Sequence, residues 1–471
     1  MAHSKRRADD AEAVPAAIAA AVLDWARATP TRRDVLVAFS GGRDSSVLLH
    51  ALHAALADSK EWRLAAHHVH HGLSDRADAW AEHCRSICVN LGVPLSIDRV
   101  RVDTRDTRGI EAAARAVRHA SLAQAAGDTH LIALAHHARD QAETVLLQLL
   151  RGAGPQGLAA MAYGSDHYRV RPLLAVPAAA IAAYATRHAL SWVEDESNQD
   201  PRFERNRLRH VVWPALIASF PSAERTLARS AKLQSDAARL LANLAAIDLA
   251  ACSSGDAHGT AAQAPVLVSR LLMLSPERQA NALRLWLAEN HMVPVGAATL
   301  CDWLRQMRTS RATQTLRWSV GGDGASVIVY RDQLQRAWPH DAWPSVPWRG
   351  EPSMRLGTSA GNVQFERVAA GCGAGIRAPR LGEHWHIRRR NAGDRIAVSE
   401  RSGHVSFKNV MQHAGVPPWQ RAMWPLLICD NEVVAIAGIA IASAFTVYPR
   451  TSQDVAWRVQ WKPAWHNALQ P

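Results

Sequence analysis

The chain runs to 471 residues and is 48% hydrophobic, more than one ordinary domain and enough apolar material for two or three buried cores; three is the working count. Its formal charge of +12, from 54 Lys and Arg against 42 Asp and Glu, suits a polyanionic partner such as RNA or DNA, although a solvated arginine-rich surface gives the same sum. Six cysteines are too sparse for the disulfide framework of a secreted protein, and the apolar run of residues 16–25 breaks at Asp24 before membrane-spanning length, so a cytoplasmic chain with no signal peptide or anchor is expected.

From about residue 15 to 218, short apolar runs (VLVAF, LAAHHV, HLIALAHH) alternate with helix-like segments (AWAEHCRSICVNLG, ARDQAETVLLQLLRG). That alternation predicts an α/β domain with a doubly wound parallel sheet. Ligands of such sheets bind at the carboxyl ends of the strands, so SGGRDS, HHVHHGL and AHHARD are expected to converge there. SGGRDS, Ser40 to Ser45, stands between the run ending at Phe39 and the helix-like VLLHALHAAL. Gly41 and Gly42 let backbone approach a ligand, and the helix start aims N–H groups and positive dipole at a phosphate. Ser40, Ser45 and Ser46 add hydroxyls, Arg43 adds charge, and Asp44 offers a hard oxygen to magnesium. GxxxxGK[ST] is absent, so this is a nucleotide loop of another kind.

GIEAAARAVRH sets Glu111, Arg115 and Arg118 on adjacent helical turns, either a grip on a phosphate-bearing ligand or a solvated salt-bridged helix. In ARDQAETVLLQLL, Asp140 and Glu143 share a helical face and can hold an ammonium group, or complement a helix dipole. His67, His68, His70, His71, His136 and His137, with Cys84 and Cys88, lack a zinc signature and are expected to be structural or substrate-contacting. WVEDESNQDPRFERNRLR joins an acidic turn, Glu194 and Asp195, to a basic stretch in which Arg205 and Arg209 share a face.

Residues 219–340 are rich in Ala, Leu and Arg at helical spacing and predict a mainly helical domain, with CSSGDAHGTAAQAP as an internal flexible loop and a terminal hairpin in residues 315–338. PHDAWPSVPWRGEP is expected to be a linker. Residues 341–471 predict a small α+β domain with one helix near Ser406 to His413.

LVAFSGGRDSSVLLHAL, HHVHHGLSDRADAWAEHC, GIEAAARAVRH, LAHHARDQAETVLLQLLRGAGPQGLAAM, RPLL and the EDESN to RNRLR segment occur in the order seen in tRNA(Ile)-lysidine synthetases, a branch of the pyrophosphate-loop ATPases that the chain resembles. RRRNAGDRI and SFKNVMQHAGVPPWQRAMWPLLI are similar to that family's C-terminal RNA-binding domain; the middle block matches only loosely. The resemblance implies ATP-dependent joining of L-lysine to carbon 2 of the wobble cytidine in the CAU anticodon of isoleucine tRNA, through an adenylated tRNA, with release of pyrophosphate and AMP. It further implies that Ser40, Gly41, Gly42, Arg43, Asp44 and Ser45 hold ATP, with Mg2+ on Asp44 and the HHVHHGL strand end lining the adenosine pocket. Asp140 and Glu143 would bind lysine, and Arg115, Arg205 and Arg209 would stabilise phosphate and orient the base. A carboxylate among Asp44, Asp140 and Glu143 would serve as general base.

The chain departs from the family pattern at Arg139, His70 and His119, where another acid, Asn and Tyr are usual. A tRNA thiolase sharing the ATP loop would need paired cysteines, and no CxxC exists; a noncatalytic RNA binder would not need Asp44, Asp140 and Glu143. The oligomeric state is open, with a homodimer among the options.

Overall fold

A computed structural model describes residues 2–28, 33–103, 105–106, 109–127, 129–165, 169–194, 196, 202, 204–253, 265–311, 314–321, 324–337, 343–357, 360–398, 403–451 and 454–463. The chain divides into two compact units, residues 1–241 and 242–471.

The first unit opens with α1 (Ala2–Ala28), followed by β1 (Asp34–Ala38), α2 (Arg43–Leu56), β2 (Arg63–His70), α3 (Ala77–Leu91), β3 (Leu95–Arg99), α4 (Ile110–Ala126), β4 (His130–Ala133) and α5 (Ala138–Leu150). A short α6 (Pro155–Leu158), a small antiparallel pair, β5 (Gly164–Ser165) and β6 (Arg169–Val170), and α7 (Ala178–Arg187) come next. The strand order is β3-β2-β1-β4-β6-β5, parallel up to β6. β1 is apolar at Val35, Leu36 and Val37, all buried, because an interior parallel strand is covered on both faces. One face carries Leu48, Leu49 and Leu52 of α2 against Val14 and Ile18 of α1 and Ile181 and Tyr184 of α7. On the other face, Leu122 and Ala126 of α4 pack on Leu36 and Ile132. Each fully buried leucine contributes roughly 1.5–3 kcal/mol. Helices on both faces make the sheet doubly wound, as the alternating pattern predicts.

The order reverses between β1 and β4, the switch point at which such sheets bind ligands. Val37 is in register with Ala133, and Ala38 with His67. The segments leaving β1, β2 and β4 therefore emerge together, and the expected convergence of the three motifs occurs.

Beyond α7 the chain forms α8 (Glu204–Arg207), a π-helical turn over Leu208–Val212, α9 (Trp213–Ser219) and α10 (Ala223–Cys252). Pro214 cannot donate to His210, four residues back, and the widened turn absorbs this loss without ending the helix.

The second unit contains two hydrophobic cores. The first unites helices Pro276–Glu289 and Ala297–Thr309 with a four-stranded antiparallel sheet, whose strands Leu316–Ser319, Ser326–Tyr330 and Gln333–Ala337 are the expected hairpin plus one further turn. Most of the expected flexible loop, residues 254–264, lies outside the described residues. The second core lies among two five-stranded antiparallel sheets, and the helix Phe407–His413 starts with Ser406 as its cap, matching the expected position. The expected linker needs correction. From Trp343 onward it belongs to this core: Trp343 and Trp348 are buried, Val346–Pro347 is a strand, and Trp348 stacks on Phe365 at 4.1 Å. Its Pro content signals a short edge strand, where a missing N–H costs no ladder bond; residues 339–342 lie outside the described residues.

Candidate active site

The loop after β1 is shaped by close approach. Gly41 has φ +81°, and a Cβ there would lie 2.9 Å from Cys84 Sγ and 3.2 Å from Val193 Cγ2, so only glycine fits. Ser45 and Ser46 hydroxyls donate to Gly42 O at 2.9 and 3.1 Å, and Ser40 Oγ lies 3.0 Å from Ser45 Oγ. No side chain caps α2, which begins after Gly42, and this leaves its first N–H groups to an anion. The donors, the glycine cradle and the uncapped helix all fit a bound polyphosphate.

Cys84 and His68 support this loop from below. His68 Nδ1 donates to Phe39 O at 2.9 Å and stands 3.5 Å from Cys84 Sγ. Burial pushes the Cys84 thiol up to about 12 and Cys88 up to about 11, so both are protonated packing groups. His67 contacts the Ser96 and Ser121 hydroxyls at 2.7 and 2.8 Å, and His70 Nε2 lies 3.3 Å from Asp78. These histidines are satisfied within the fold.

Asp44, in the first turn of α2, connects the loop to the end of β4. Its carboxylate receives Arg43 Nε at 3.1 Å and lies 3.5 Å from His137 Nε2. Burial raises its pKa, but the hydrogen bond and charge of His137, with Arg43, outweigh this and hold it below the usual carboxylate value. For His137, burial favours the neutral ring, and Asp44 and Asp140 prevail to raise its pKa. His137 also caps α5: its ring accepts from Arg139 N at 3.3 Å, while Asp140 Oδ2 accepts from His137 N at 3.0 Å. Sequence reasoning gave His137 no connecting role. The signal was present in H-A-R-D, a polar residue followed three positions later by an acid at a helix start.

Asp140 and Glu143 share one face of α5, as their spacing predicts, and both are buried, Glu143 to 0% exposure. Arg205 Nη2 lies 2.9 Å from Asp140 Oδ1 and Arg205 Nε 3.1 Å from Glu143 Oε2. Arg209 contacts Glu143 at 2.9 Å through Nε and 2.8 Å through Nη2, and Asp140 at 3.2 Å. Burial raises the Asp140 pKa, but His137 and Arg205 lower it further; burial opposes the charge on Arg209, but Glu143 raises its pKa. The acidic pair is thus a cation site, and two guanidinium groups of the same chain sit on it. Arg139 lies over the Trp213 ring at 5.1 Å with Nε 3.7 Å from Glu143, a third cation beside the pair.

Arg115 does not join this group. It is exposed on α4, among the arginines around His119, which burial and then Arg118, Arg169 and Arg115 push down to about 4. Arg171 Nε lies 3.3 Å from His136 Nδ1, and burial takes that ring down to about 3. Arg169 and Arg171, at β6, were not singled out from sequence because their position depends on β4 and β6 pairing. Asp195, Asn198 and the Glu111 side chain lie outside the described residues; Glu194 and Arg202 are described.

Among the described residues no group of three His, Cys, Asp or Glu side chains is arranged to hold a metal ion. The Asp44 carboxylate beside the loop offers a hard oxygen of the kind that magnesium takes in sites completed by phosphate oxygens and water. No helix among the described residues is long and apolar enough to cross a membrane.

The PP-loop domain model matches residues 16–216, the TilS substrate binding domain residues 267–335, and the TilS substrate C-terminal domain residues 385–461. The tRNA(Ile)-lysidine synthase of Alkalilimnicola ehrlichii is 41% identical over 88% of this chain and 91% of its own length. The corresponding synthases of Aromatoleum aromaticum and Chromobacterium violaceum are 40% and 38% identical, over 90% and 91% of this chain and 97% and 95% of theirs. The chain belongs to the tRNA(Ile)-lysidine synthase family. As a member of that family it is a PP-loop ATP-dependent ligase that modifies tRNA, and the candidate residues described above lie within the matched PP-loop domain. Among solved structures, a U34-tRNA thiolase from Methanococcus maripaludis matches at a TM-score of 0.38 and 16% identity, covering 44% of this chain and 73% of that one.

Proposed function

We propose that the enzyme joins lysine to carbon 2 of the wobble cytidine in the CAU anticodon of isoleucine tRNA, through an adenylated tRNA intermediate. One observation carries this reading: an anion cradle and a buried cation site lie within a single array, the loop and Asp44 at one end, Asp140 and Glu143 at the other, with His137 touching both Asp44 and Asp140. A reaction between a phosphate ester and an amine needs both sites side by side.

Ser40 to Ser45 hold ATP, and Asp44 is the group that would hold Mg2+, which supplies charge neutralisation at the phosphates. The cytidine O2 attacks the α-phosphorus, the bond to the β-phosphate oxygen breaks, and pyrophosphate leaves. The neutral lysine amine then attacks carbon 2, the carbon–oxygen bond breaks, and AMP leaves. The lysine ammonium displaces guanidinium from Asp140 and Glu143 before losing its proton to a carboxylate among Asp44, Asp140 and Glu143. Arg205 and Arg209, once released from the pair, and Arg115 are suited to bind phosphate oxygens as planar forks. HHVHHGL lines the adenosine pocket. Residues 219–340 and 341–471 form two tRNA-binding domains after the catalytic domain, residues 1–218, and the reaction takes place in the cytoplasm.

The test is release of pyrophosphate and AMP from ATP with the CAU-anticodon isoleucine tRNA transcript, with and without lysine, followed by nucleoside mass analysis. Lysine-dependent AMP release with a lysine-sized gain on cytidine is expected. A requirement for a sulfur donor, or no AMP release at all, overturns the reading.

A further inference from the structure

The second unit holds a cleft of about 290 Å³ between the strand Trp385–Arg388 with its following turn and the start of the helix Phe407–His413. Its cations are Arg390, Arg395 and Lys408, all exposed. Asp394 is the only carboxylate lining it among the described residues, and that charge is already engaged. Arg388 meets it as a two-pronged fork, both nitrogens at 2.9 Å, and Asn391 N donates to the same carboxylate. Arg390 lies over the Phe407 ring at 5.7 Å, a contact that positions the guanidinium without cancelling its charge. Arg395 Nη2 donates to His404 O at 2.8 Å, also a neutral partner. Lys408 stands in the first turn of its helix, where a cation is opposed by the dipole and gains nothing for folding. The fold therefore holds three exposed cations around one opening, and its one lining carboxylate is hydrogen-bonded to Arg388 while only the charge of Arg390 reaches it from among the three.

The cleft is at or below the lower end of the roughly 300–1,000 Å³ typical of small-molecule sites, and Phe407 is the one large apolar side chain among the residues that line it. It suits one tetrahedral anion on a polymer that continues past it. We propose that this cleft grips a single backbone phosphodiester of the tRNA substrate, a contact that adds affinity and register but reads no base. The inference rests on the lysidine-forming reading for the identity of the RNA, and none of its residues belongs to the reacting array.

The test uses the full chain carrying Arg390→Gln, Arg395→Gln and Lys408→Gln together, with Lys408→Gln alone as a milder variant. Equilibrium binding of the tRNA transcript is measured by filter retention across a KCl series, beside KM for tRNA and for ATP. Loss of one phosphate contact lowers the slope of log K against log salt by about one and weakens binding severalfold. The expected result is that change with KM for tRNA raised, KM for ATP unmoved, and pyrophosphate release at saturating tRNA retained. An unchanged slope and unchanged tRNA affinity overturn the proposal, and so does a shift confined to KM for ATP, which would make the bound phosphate the nucleotide's. Circular dichroism of the triple variant must match the parent; if it does not, Lys408→Gln alone must still weaken tRNA binding, or the proposal falls. Failure of the lysidine reading is separable: absent lysine ligation in the parent with the salt slope still shifting in the variant leaves an RNA-phosphate cleft without that reaction.

Discussion

The acidic pair on α5 and the cleft beside Phe407 use the same fork-shaped cations in opposite ways. At Asp140 and Glu143, Arg205 and Arg209 are partly buried and opposed by carboxylates of the same chain. Around the cleft, Arg390 and Arg395 are exposed, one over the Phe407 ring and the other donating to a carbonyl oxygen, while the carboxylate there is hydrogen-bonded to Arg388. A buried charge must be compensated before substrate arrives, so a ligand there enters by exchange; an exposed charge can wait for its partner in water. The first arrangement favours selectivity and punishes any change, and the second yields graded, salt-sensitive affinity.

The largest effect is expected at the junction of the catalytic array. Asp44→Asn removes the carboxylate proposed to hold magnesium while leaving α2 intact, and pyrophosphate release is expected to fall by at least ~100-fold, the scale of losing one preorganised charge-stabilising group. Near-parental release with normal circular dichroism would remove Asp44 from the site. Next comes Glu143→Gln, which leaves two guanidinium groups facing one carboxylate instead of two. Breaking a buried pair costs about 3–5 kcal/mol. The variant is expected to unfold at lower urea and to need far more lysine, with pyrophosphate release from ATP and tRNA largely kept. If its lysine KM is unchanged, the pair is structural and does not bind the substrate ammonium.

Gly41→Ala should cost less. The left-handed backbone alone disfavours a Cβ by about 1–2 kcal/mol, and the Cys84 contact adds to it. Cys84→Ala in the same chain is expected to restore part of the lost ATP affinity, because it relieves the clash but not the φ of +81°. Full rescue would show that only the sulfur mattered, and no rescue that only the backbone did.

The parts of the site written in contiguous residues were legible. SGGRDS announces a glycine turn between strand and helix, and the three-residue spacing of Asp140 and Glu143 places both on one face of a helix. What was not legible depends on partners brought from afar. Arg205 and Arg209 lie four apart and were expected to share a face, but not that this face closes on Asp140 and Glu143, because helix periodicity does not reveal which neighbour a face meets. Arg115 was grouped with the reacting residues, but that α4 sets it among the arginines around His119 and β6 was not legible, being an outcome of strand order. The cleft was invisible for the same reason: Phe407 and Arg390 meet only through pairing of Arg395–Ile396 with Val405–Ser406.

The smallest expected effect sharpens the contrast within the second unit itself, where a carboxylate is fully engaged close to the surface. Glu383 accepts from Arg377 Nη1 and Nη2 at 2.8 and 2.5 Å, from Arg380 N at 2.9 Å and from Trp385 Nε1 at 2.9 Å. The Arg377 hydrogen bonds, then the Arg380 N–H, hold its pKa at about 2 against an ordinary 4.5. A folded pKa below the unfolded one means stability fully present above pH 4.5 and lost as pH falls toward 2. Acid unfolding followed by tryptophan emission should therefore begin in that window. Glu383→Gln should be somewhat less stable at pH 7 and show a flatter decline between pH 4.5 and 2. The salt slope for tRNA binding should not move in this variant, since Glu383 does not line the cleft. An acid profile identical to the parent's would show that Glu383 contributes nothing to the fold; a shifted salt slope would show that its charge reaches the RNA and that the two clusters act as one.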